Sequence, residues 1–365
     1  MKSEKNILIC PLEWGLGHAG RVIPLALKLH GMGHNVTIGA GISHIDFFKR
    51  ELPELPCILF PGFRPGYSAI FPQYLVMLIK TPVLIWHIVR EHQKLKSIIR
   101  NLRIDIVISD NRFGLWNRKT TSVYITHMPR IPFPAGFRWL ESIGITAHRF
   151  IMKKYTFCLI PDLPGDLNIS GRLSHGVKLP GNTMFSGILS RFSAGDDPGG
   201  GTGTDYYPHN TIILSGPEPQ RSILRKKLSI LMKNEVLPLV ILEGRPEQGD
   251  QALRDGNIIS FPHLPAPDMK KLITGSSKII CRSGYTTIME LISLRCSALL
   301  IPTPGQTEQE YLAEYLSGKE WFATIRQKDL KEGLRLPDKQ AKWTEDIAEQ
   351  SHELLDKALQ TVLKD

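Results

Sequence analysis

Short apolar runs alternate with helical segments along the first part of the chain, and this alternation constrains the fold more than any other feature. Residues 20–30 place Val22, Leu25 and Leu29 on one helical face, and a longer helical region broken by prolines is predicted at 68–100. Strands that alternate with helices predict a doubly wound parallel sheet. The predicted strands are 6–12, 35–41, 57–62, 104–110, 122–127 and 157–162.

A Gly-rich segment, "SAGDDPGGGTGTD" at 193–205, separates this pattern from a second copy of it. Gly, Ser, Thr and Asp do not pack a core, so we interpret the segment as a flexible linker. Beyond it, the predicted strands are 211–216, 237–244, 257–263, 278–284 and 298–305, and the predicted helices lie near 219–233, 266–274, 286–295 and 306–317.

The predicted fold class is therefore α/β, with two Rossmann-like, doubly wound parallel-sheet domains that face each other across a cleft. A chain of 365 residues is too long for one ordinary core, which agrees with two domains. The last stretch is amphipathic and predicts a helix that packs back on the body. The predicted parts are an N-terminal domain at 1–192, a linker at 193–207, a C-terminal domain at 208–335 and the terminal helix at 336–365.

The net charge of +10 favours an anionic partner such as a nucleotide phosphate or an acidic lipid surface. Nucleic acid is not predicted as a partner, because the sequence has no RNA-binding signature, zinc-finger spacing or block of Lys and Arg. The five cysteines are widely spaced, mostly in apolar runs, and no Cys/His cluster has zinc spacing. We therefore expect a reducing, cytoplasmic compartment and no metal site.

The most apolar stretch, residues 69–89, contains Lys80 and Pro82 and is a poor candidate for a spanning helix. It predicts a buried or interfacial helix. With Lys94, Lys96 and Arg100 close behind it, the stretch suggests peripheral docking on anionic lipid. The alternative is that these apolar side chains belong to the core.

A glycine loop, "WGLGHAG" at 14–20, follows the first strand and fits the dinucleotide fingerprint G-x-G-x-x-G. That fingerprint also needs an acid at the end of the second strand to hold the ribose, and here the strand ends "IGAG". The sequence therefore predicts no nicotinamide or flavin cofactor. Gly15 and Gly17 instead permit a sharp turn and a close approach of a ligand to the backbone.

Two side chains at strand ends are candidates for acid–base chemistry. His18 lies in the glycine loop, where a neutral imidazole can take a proton from a hydroxyl nucleophile. Asp110 ends another strand and can fix the tautomer of such an imidazole, although it can equally shape the turn into Asn111. Arg21 and His127 are weaker candidates on the same acceptor-side edge. Local capping or packing is the alternative for His18.

The segment 279–316 carries the second group of candidates. A strand ends at Arg282, Ser283 and Gly284, and a helix begins at once, so backbone N–H groups and the hydroxyls of Thr286 and Thr287 predict a phosphate site. Ser283 is alternatively the helix N-cap. Glu290 points away from the apolar face at 100° per residue and can accept hydrogen bonds from a ribose; its alternative is a solvated helix face.

Two further loops repeat this design of strand, turn and polar helix start. The loop at 302–309 offers Gln306, Thr307, Glu308 and Gln309 to sugar hydroxyls, and the loop at 214–221 offers Ser215, Gly216 and Arg221. Three such loops in one domain predict a ligand that contains phosphate and sugar.

At these motifs the chain resembles a GT-B glycosyltransferase of the family 28 type, which includes the transferase of N-acetylglucosamine to lipid-linked muramyl pentapeptide. "GLGHAGRVIPLALKLHGMGHNV" resembles the family's N-terminal signature, and "CRSGYTTIMELISL…ALLIPTPGQTEQEYLA" resembles its more specific donor signature. The resemblance covers nearly the whole chain. It implies an acceptor-side N-terminal domain and a C-terminal domain that binds a nucleotide-sugar.

The resemblance also implies roles for individual residues. His18 matches the base or acceptor contact, with Asp110 as its partner in related small-molecule glucosyltransferases, and Glu290 matches the acid that holds the ribose. Residues Arg282, Ser283 and Gly284 match the pyrophosphate loop, Phe261, His263 and Leu264 match the segment beside the uracil, and Gln309 and Glu310 match the pair near the donor sugar.

Two departures limit what the resemblance implies. The usual Gly-rich phosphate loop of the second domain is replaced here by "SGPEPQR", and the N-terminal loop is "EWGLGH" rather than a Gly-Gly-rich form. The muramyl-peptide substrate is therefore not carried over, and the chain is more similar to an uncharacterised branch of transferases.

The sequence thus predicts an inverting, metal-independent hexosyltransferase that moves a sugar from a nucleotide-sugar, with UDP-sugar first, to a hydroxyl acceptor. A lipid-linked or cell-envelope glycan is among the acceptors to consider. The nucleotide-sugar is a substrate and no cofactor is predicted. A UDP-sugar epimerase of the same architecture, or a non-catalytic nucleotide-sugar-binding subunit, remains an alternative.

Overall fold

The computed structural model describes residues 4–64, 73–192, 208–216, 218–249, 251–331 and 334–364. These residues form two compact units. Unit 1 contains the described residues before Ser190 and those from Asp346 onward, and unit 2 contains those in Ser190–Glu345. The predicted linker at 193–207 lies outside the described residues, as does the start of the helical region predicted at 68–100.

Unit 1 is built on a parallel sheet whose strands follow the order β3-β2-β1-β4-β5-β6-β7 in the described part. Its strands are β1 (Asn6–Cys10), β2 (Asn35–Ala40), β3 (Cys57–Leu59), β4 (Ile106–Asp110), β5 (Thr121–Ile125), β6 (Phe157–Ile160) and β7 (Thr183–Phe185). Its first four helices are α1 (Leu16–Gly31), α2 (Ile42–Glu51), α3 (Gln73–Leu102) and α4 (Trp139–Met152).

The apolar runs of unit 1 are continuous because helices cover both faces of the sheet. Along β1, Ile7 and Ile9 pack in one buried cluster, whereas Leu8 and Cys10 pack in another on the opposite face. The order of strands reverses between β1 and β4, so a crevice opens at their carboxyl ends. This edge holds both His18 and Asp110.

Unit 2 repeats the design with the order β10-β11-β9-β8-β12-β13-β14, in which the β10–β11 pair is antiparallel and the others are parallel. Its strands are β8 (His209–Ile213), β9 (Leu239–Leu242), β10 (Leu253–Asp255), β11 (Ile258–Phe261), β12 (Ser276–Cys281), β13 (Leu299–Leu300) and β14 (Ala323–Thr324). Its helices are α5 (Gln220–Leu231), α6 (Ala266–Gly275), α7 (Tyr285–Ser293) and α8 (Thr307–Gly318). The reversal here falls between β8 and β12.

The terminal helix α9 (Ile347–Lys364) belongs to unit 1. Its Leu355, Leu359 and Val362 join the same buried cluster as β1, and Ser351 Oγ accepts a hydrogen bond from the Ile188 N–H. Among the described helices, none is long and apolar enough to cross a membrane.

Candidate active site

His18 and Asp110 lie together at the carboxyl edge of the unit 1 sheet. His18 is in the first turn of α1, and Asp110 is the last residue of β4. Their side chains meet with 2.8 Å between His18 Nδ1 and Asp110 Oδ2. Asp110 is fully buried, whereas the His18 side chain is 18% exposed. The predicted contact between imidazole and carboxylate is therefore present in the structure.

Arg21 extends this pair into a cluster that the sequence did not predict as such. It is one helical turn after His18, and its Nε donates to Asp110 Oδ1 over 2.9 Å, while Nη2 makes a further close contact to the same oxygen. Arg21 Nη1 lies 3.1 Å from His127 Nδ1, and Nη2 lies 2.8 Å from His18 Nδ1. The four side chains form what we call the His18 cluster: His18, Arg21, Asp110 and His127.

The charges of the His18 cluster determine its protonation state. Burial by itself raises the pKa of Asp110, but Arg21 and His18 outweigh burial, so the pKa of this carboxyl is lowered and it stays ionised. Burial lowers the pKa of His18, and the cation of Arg21 lowers it further, against the opposing charge of Asp110. The imidazole is therefore neutral at pH 7.

A neutral His18 carries its proton on Nδ1, because the Asp110 carboxylate can only accept a hydrogen bond. Arg21 Nη2 is then close to Nδ1 without donating to it. In the part of the chain that the structure describes, Nε2 of His18 has no hydrogen-bond partner. An imidazole held in this way presents a basic nitrogen to a ligand.

The glycine loop allows this arrangement through one special backbone position. Gly15 is the N-cap residue of α1 with φ +145°, a value that L side chains rarely adopt, and no described atom lies within 4 Å of where its Cβ would be. Its carbonyl lies 3.3 Å from His44 Nε2. Gly17, by contrast, is an ordinary residue of the first helical turn.

In unit 2, Arg282 ties together the three predicted loops. Its guanidinium is fully buried and donates to the carbonyls of Ile301 and Pro302 over 3.2 Å and to that of Gln220 over 2.9 Å. Burial lowers its pKa to about 10, which still leaves it charged at pH 7. The loops after β8, β12 and β13 thus meet at one side chain, which differs from the direct diphosphate contact that the resemblance implies.

The polar residues around Arg282 also bond to the loops. Ser283 Oγ donates to the Gln309 carbonyl over 2.8 Å, and the N-cap of α7 is Gly284, so the alternative of Ser283 as N-cap is wrong. Gln309 Oε1 accepts from the Thr303 N–H, and its Nε2 donates to Gln306 Oε1 over 2.7 Å. Glu310 Oε1 accepts from the Gly305 N–H in the same loop.

The start of α7 and Glu290 are arranged differently from what the helical wheel predicts. The N-cap residue of α7 is Gly284, which has no side chain to cap the first turn, where Thr286 and Thr287 lie. Glu290 is 5% exposed, so the alternative of a solvated helix face is wrong. Its Oε1 accepts a hydrogen bond from Arg191 Nε over 2.8 Å. Glu290 is therefore buried together with the cation of Arg191, which is distant from it in the sequence.

The loop after β8 carries its own ion-pair group. Arg221 bonds to Glu218 and to the Gly244 carbonyl, and Arg245 Nη2 donates to Glu218 Oε1 over 2.6 Å. Burial is the largest single effect and raises the pKa of Glu218, but hydrogen bonds from Ser222, Arg245 and Arg221 together outweigh it and lower this pKa to about 2. Gly216 has φ +91° at the turn itself.

The remaining candidates lie at the same edge of unit 2. Phe261 ends β11, and Phe261 and His263 are buried, whereas Leu264 is half-buried; Ser215, Thr307 and Glu308 are also half-buried. Sequence reasoning missed Arg191, and it missed Glu13, which accepts from Arg64 Nε over 2.7 Å beside the glycine loop. No local sequence pattern marks either residue, because Arg191 pairs with Glu290 and Glu13 pairs with Arg64, and both partners are distant in the sequence.

Comparisons with known proteins agree with this architecture. Residues 233–361 match the Glycosyltransferase family 28 C-terminal domain. An uncharacterised glycosyltransferase of Methanosarcina acetivorans is 25% identical over 334 residues, which cover 84% of this chain and 81% of that protein. A Desulforudis audaxviator protein, the UDP-N-acetylglucosamine–N-acetylmuramyl-(pentapeptide) pyrophosphoryl-undecaprenol N-acetylglucosamine transferase, is 34% identical over 84 residues, 22% of each chain.

Among solved structures, the glycotransferase of kitacinnamycin superposes with a TM-score of 0.63 at 13% identity, over 100% of this chain and 94% of that one. The two parallel-sheet domains therefore have the GT-B fold that the sequence predicts. The chain is a glycosyltransferase of the GT-B fold, and its residues 233–361 are similar to the family 28 C-terminal domain.

Proposed function

We propose that the protein is an inverting glycosyltransferase in which His18 of the His18 cluster is the general base. The observation that carries this proposal is the neutral imidazole bonded through Nδ1 to the buried Asp110. His18 Nε2 takes the proton of an acceptor hydroxyl, and the oxygen attacks the anomeric carbon of the donor. The bond from that carbon to the diphosphate breaks, and its electron pair leaves with the nucleotide.

Arg21 has a positioning role in this proposal. Asp110 alone beside His18 would favour the imidazolium, which cannot act as a base. The one guanidinium of Arg21 balances the carboxylate and also lies against Nδ1 of His18, so the resting base is neutral. During the reaction Asp110 stabilises the imidazolium that forms.

The donor in this proposal is a UDP-sugar bound at the edge of unit 2. The helix start at Gly284 with Thr286 and Thr287 faces the diphosphate, and Glu290 accepts from the ribose. Arg282 acts through the loops that it holds. The similarity of residues 233–361 to the family 28 C-terminal domain supports UDP as the nucleotide, as does the name of the Desulforudis audaxviator relative, which includes UDP-N-acetylglucosamine. No metal is required in this scheme, because the N-terminus of α7 supplies positive potential.

Labelled UDP-sugars, incubated with and without lipid extract, test the proposal. We expect label in a new glycoside whose anomeric configuration, read by NMR, is opposite to that of the donor. Chelator should leave the rate unchanged. A changed sugar still attached to UDP would instead indicate an epimerase, and binding without any product would indicate a nucleotide-sugar-binding subunit. Retention of configuration would contradict the role of His18.

A cytoplasmic, peripheral position on a membrane is the second part of the proposal. The alternative that the predicted apolar stretch is core does not hold for much of α3, because Ile79 is 70% exposed and Trp86 is 54% exposed. Val83 lies between them on the same face, and Arg90 stacks over Trp86. An apolar face beside cations favours the surface of an anionic bilayer, and a lipid-linked acceptor would be met there.

Vesicle sedimentation at low salt tests this docking. We expect recovery with vesicles that contain anionic lipid, little recovery with neutral ones, and release at high salt. The double variant Ile79→Ser, Trp86→Ser should remain in the supernatant while its transfer rate to a water-soluble acceptor is unchanged. Equal recovery with both kinds of vesicle would contradict the proposal.

A further inference from the structure

The loop between β1 and α1 contains a buried carboxylate. The side chain of Glu13, two residues before Gly15, has no exposed surface. Its Oε1 accepts a hydrogen bond from the Gly62 N–H over 2.9 Å, and its Oε2 accepts one from Arg64 Nε over 2.7 Å. Both donors follow β3, and the strand order places β2 between β3 and β1. The contacts of Glu13 therefore span the end of β2.

Glu13 also lies against the start of α2. Gly41, the N-cap residue of α2, has no side chain to cap the first turn. A Cβ at Gly41 would meet both carboxylate oxygens of Glu13, with Oε1 at 2.7 Å. The glycine thus leaves the space that the carboxylate occupies. A negative charge is favourable at a helix N-terminus, because the first N–H groups of the helix have no partner within it.

The next two residues of the loop are tied to the same neighbours. Trp14 Nε1 donates to the Phe63 carbonyl over 3.1 Å, and His44 Nε2, in the first turn of α2, lies 3.3 Å from the Gly15 carbonyl. Burial lowers the pKa of His44, so its imidazole is neutral at pH 7. Its Nε2 carries the proton, because a carbonyl can only accept a hydrogen bond. Each of residues 13–15 thus contacts a segment that follows β2 or β3.

These contacts bear on the place where α1 begins. Gly15 is the N-cap residue of α1, and His18 lies in the first turn that follows. Asp110 and Arg21 contact His18 at Nδ1 of its ring, whereas Glu13 acts on the backbone that leads into its turn. A shift of this turn by about 1 Å would move Nε2 by a similar distance. A misplacement of that size can cost roughly 10²-fold in rate.

We propose that Glu13 is a positioning residue for the base. It fixes the loop after β1 and thereby the place of His18 Nε2 relative to the acceptor hydroxyl. Gly41 belongs to the same device, because its missing Cβ leaves room for the carboxylate. The inference rests on the proposed function, since it concerns the base of that reaction, and Glu13 itself touches no substrate in it.

The variant Glu13→Gln tests this role. The amide keeps the size of the side chain but loses the charge that pairs with Arg64. We expect kcat to fall about ten- to a hundredfold. UDP affinity, measured by calorimetry, should stay within about twofold of the native value, because Glu13 belongs to unit 1. Glu54→Gln, at an exposed position between α2 and β3, is the matched control and should keep the native kcat.

The variant Gly41→Ala disturbs the carboxylate without changing it chemically. The φ of Gly41 is −82°, so alanine fits the backbone, but its Cβ would displace the side chain of Glu13. We expect kcat to fall as it does in Glu13→Gln. Gly31→Ala, at the last residue of α1, places its Cβ in open space and is the control that should keep the native kcat. If Glu13→Gln does not fold, this second pair of variants carries the test.

A double variant distinguishes positioning from general damage. Once His18 is alanine, Glu13 has no base to position, so Glu13→Gln combined with His18→Ala should turn over as slowly as His18→Ala alone. General loss of active protein would instead multiply the two effects. A second readout needs no turnover: the ring signals of His18 in NMR should shift in Glu13→Gln and in Gly41→Ala, and not in the two controls.

The outcomes separate this inference from the proposed function. Native kcat in both Glu13→Gln and Gly41→Ala, multiplied effects in the double variant, or unchanged ring signals of His18 would overturn the positioning role and leave the proposed function standing. Native kcat in His18→Ala would overturn the proposed function, even where Glu13→Gln lowers kcat.

Discussion

The carboxyl edges of the two sheets are built from the same fold but hold their polar groups in opposite ways. In unit 1, side chains bond to side chains: Asp110 and Arg21 contact the imidazole of His18, and His127 contacts Arg21. In unit 2, the residues that follow β12 bond to backbone: Arg282 and Ser283 donate to carbonyls of distant segments. The first arrangement controls the protonation of one group, and the second holds neighbouring loops together.

Replacing His18 in unit 1 should have the largest effect on activity. His18→Ala is expected to lower kcat by roughly 10²–10⁴-fold, the usual contribution of a general base. UDP affinity, measured by calorimetry, should change little, because His18 belongs to unit 1. His30→Ala, at the exposed end of the same helix, is the matched control. A variant that keeps its turnover but loses UDP binding would make His18 a donor contact instead.

Replacing Glu290, a buried carboxylate of unit 2, should have the next largest effect, and that effect is on UDP binding. Glu290→Gln is expected to weaken UDP binding about ten- to a hundredfold, since a hydrogen bond to a charged acceptor contributes roughly 1.5–3 kcal/mol. Deoxyribose analogues of UDP should bind the native protein more weakly and the variant little differently. Glu308→Gln should instead alter the choice of sugar.

Arg191 decides how this result is interpreted. Because Glu290 is buried against Arg191, the variant also disturbs an ion pair, and its unfolding free energy should fall. Arg191→Met reports this structural part alone. If Arg191→Met weakens UDP binding as much as Glu290→Gln does, the carboxylate does not contact the ribose.

A smaller effect is expected from the residue that holds the loops. Arg282→Lys keeps the charge but cannot reach three carbonyls, so it should lower the unfolding free energy by about 1.5–3 kcal/mol. UDP affinity should fall by about tenfold, because the loops lose their common support. Urea unfolding and calorimetry measure the two quantities, with Arg254→Lys on the exposed β10 as control. Lower stability with unchanged UDP affinity would separate these loops from the donor site.

The pH dependence of the turnover number should show the smallest effect, and it tests the protonation state of His18 in unit 1. The pKa of His18 is lowered from 6.5 by burial and by Arg21, with Asp110 opposing, so the neutral base is already dominant at pH 7. The turnover number should differ less than about twofold between pH 7 and 8 and fall only below pH 6.5. In Arg21→Met, which leaves Asp110 and His127 in place, the pKa of His18 should rise. The fall in turnover number should then begin at a higher pH. A native profile that falls already between pH 8 and 7 would contradict a lowered pKa.

Much of the architecture was predictable because the local signals were strong. The continuous apolar runs of β1 and β4, and the periodic face of α1, are confirmed by the structure. The helix α4 was missed because Trp139, Ile143 and Phe150 are exposed, so its apolar residues do not follow a core-facing stripe. The short strands β7, β10 and β14 and the helix α2 were missed as well, since short or polar segments have weak periodicity.

The sequence alone indicated that His18 follows one strand and that Asp110 ends another, that three loops of the second half lead into helices, and that the chain resembles a glycosyltransferase. The tertiary structure decided which of these residues meet. The strand order puts β1 beside β4, so two residues that are distant in the chain become partners, and it brings Arg21 against both. Likewise, the ion pair of Glu290 with Arg191 and the buried bonds of Arg282 depend on packing between distant segments. Periodicity reports which face of an element is apolar, but an electrostatic partner is set by three-dimensional proximity, which no local pattern encodes.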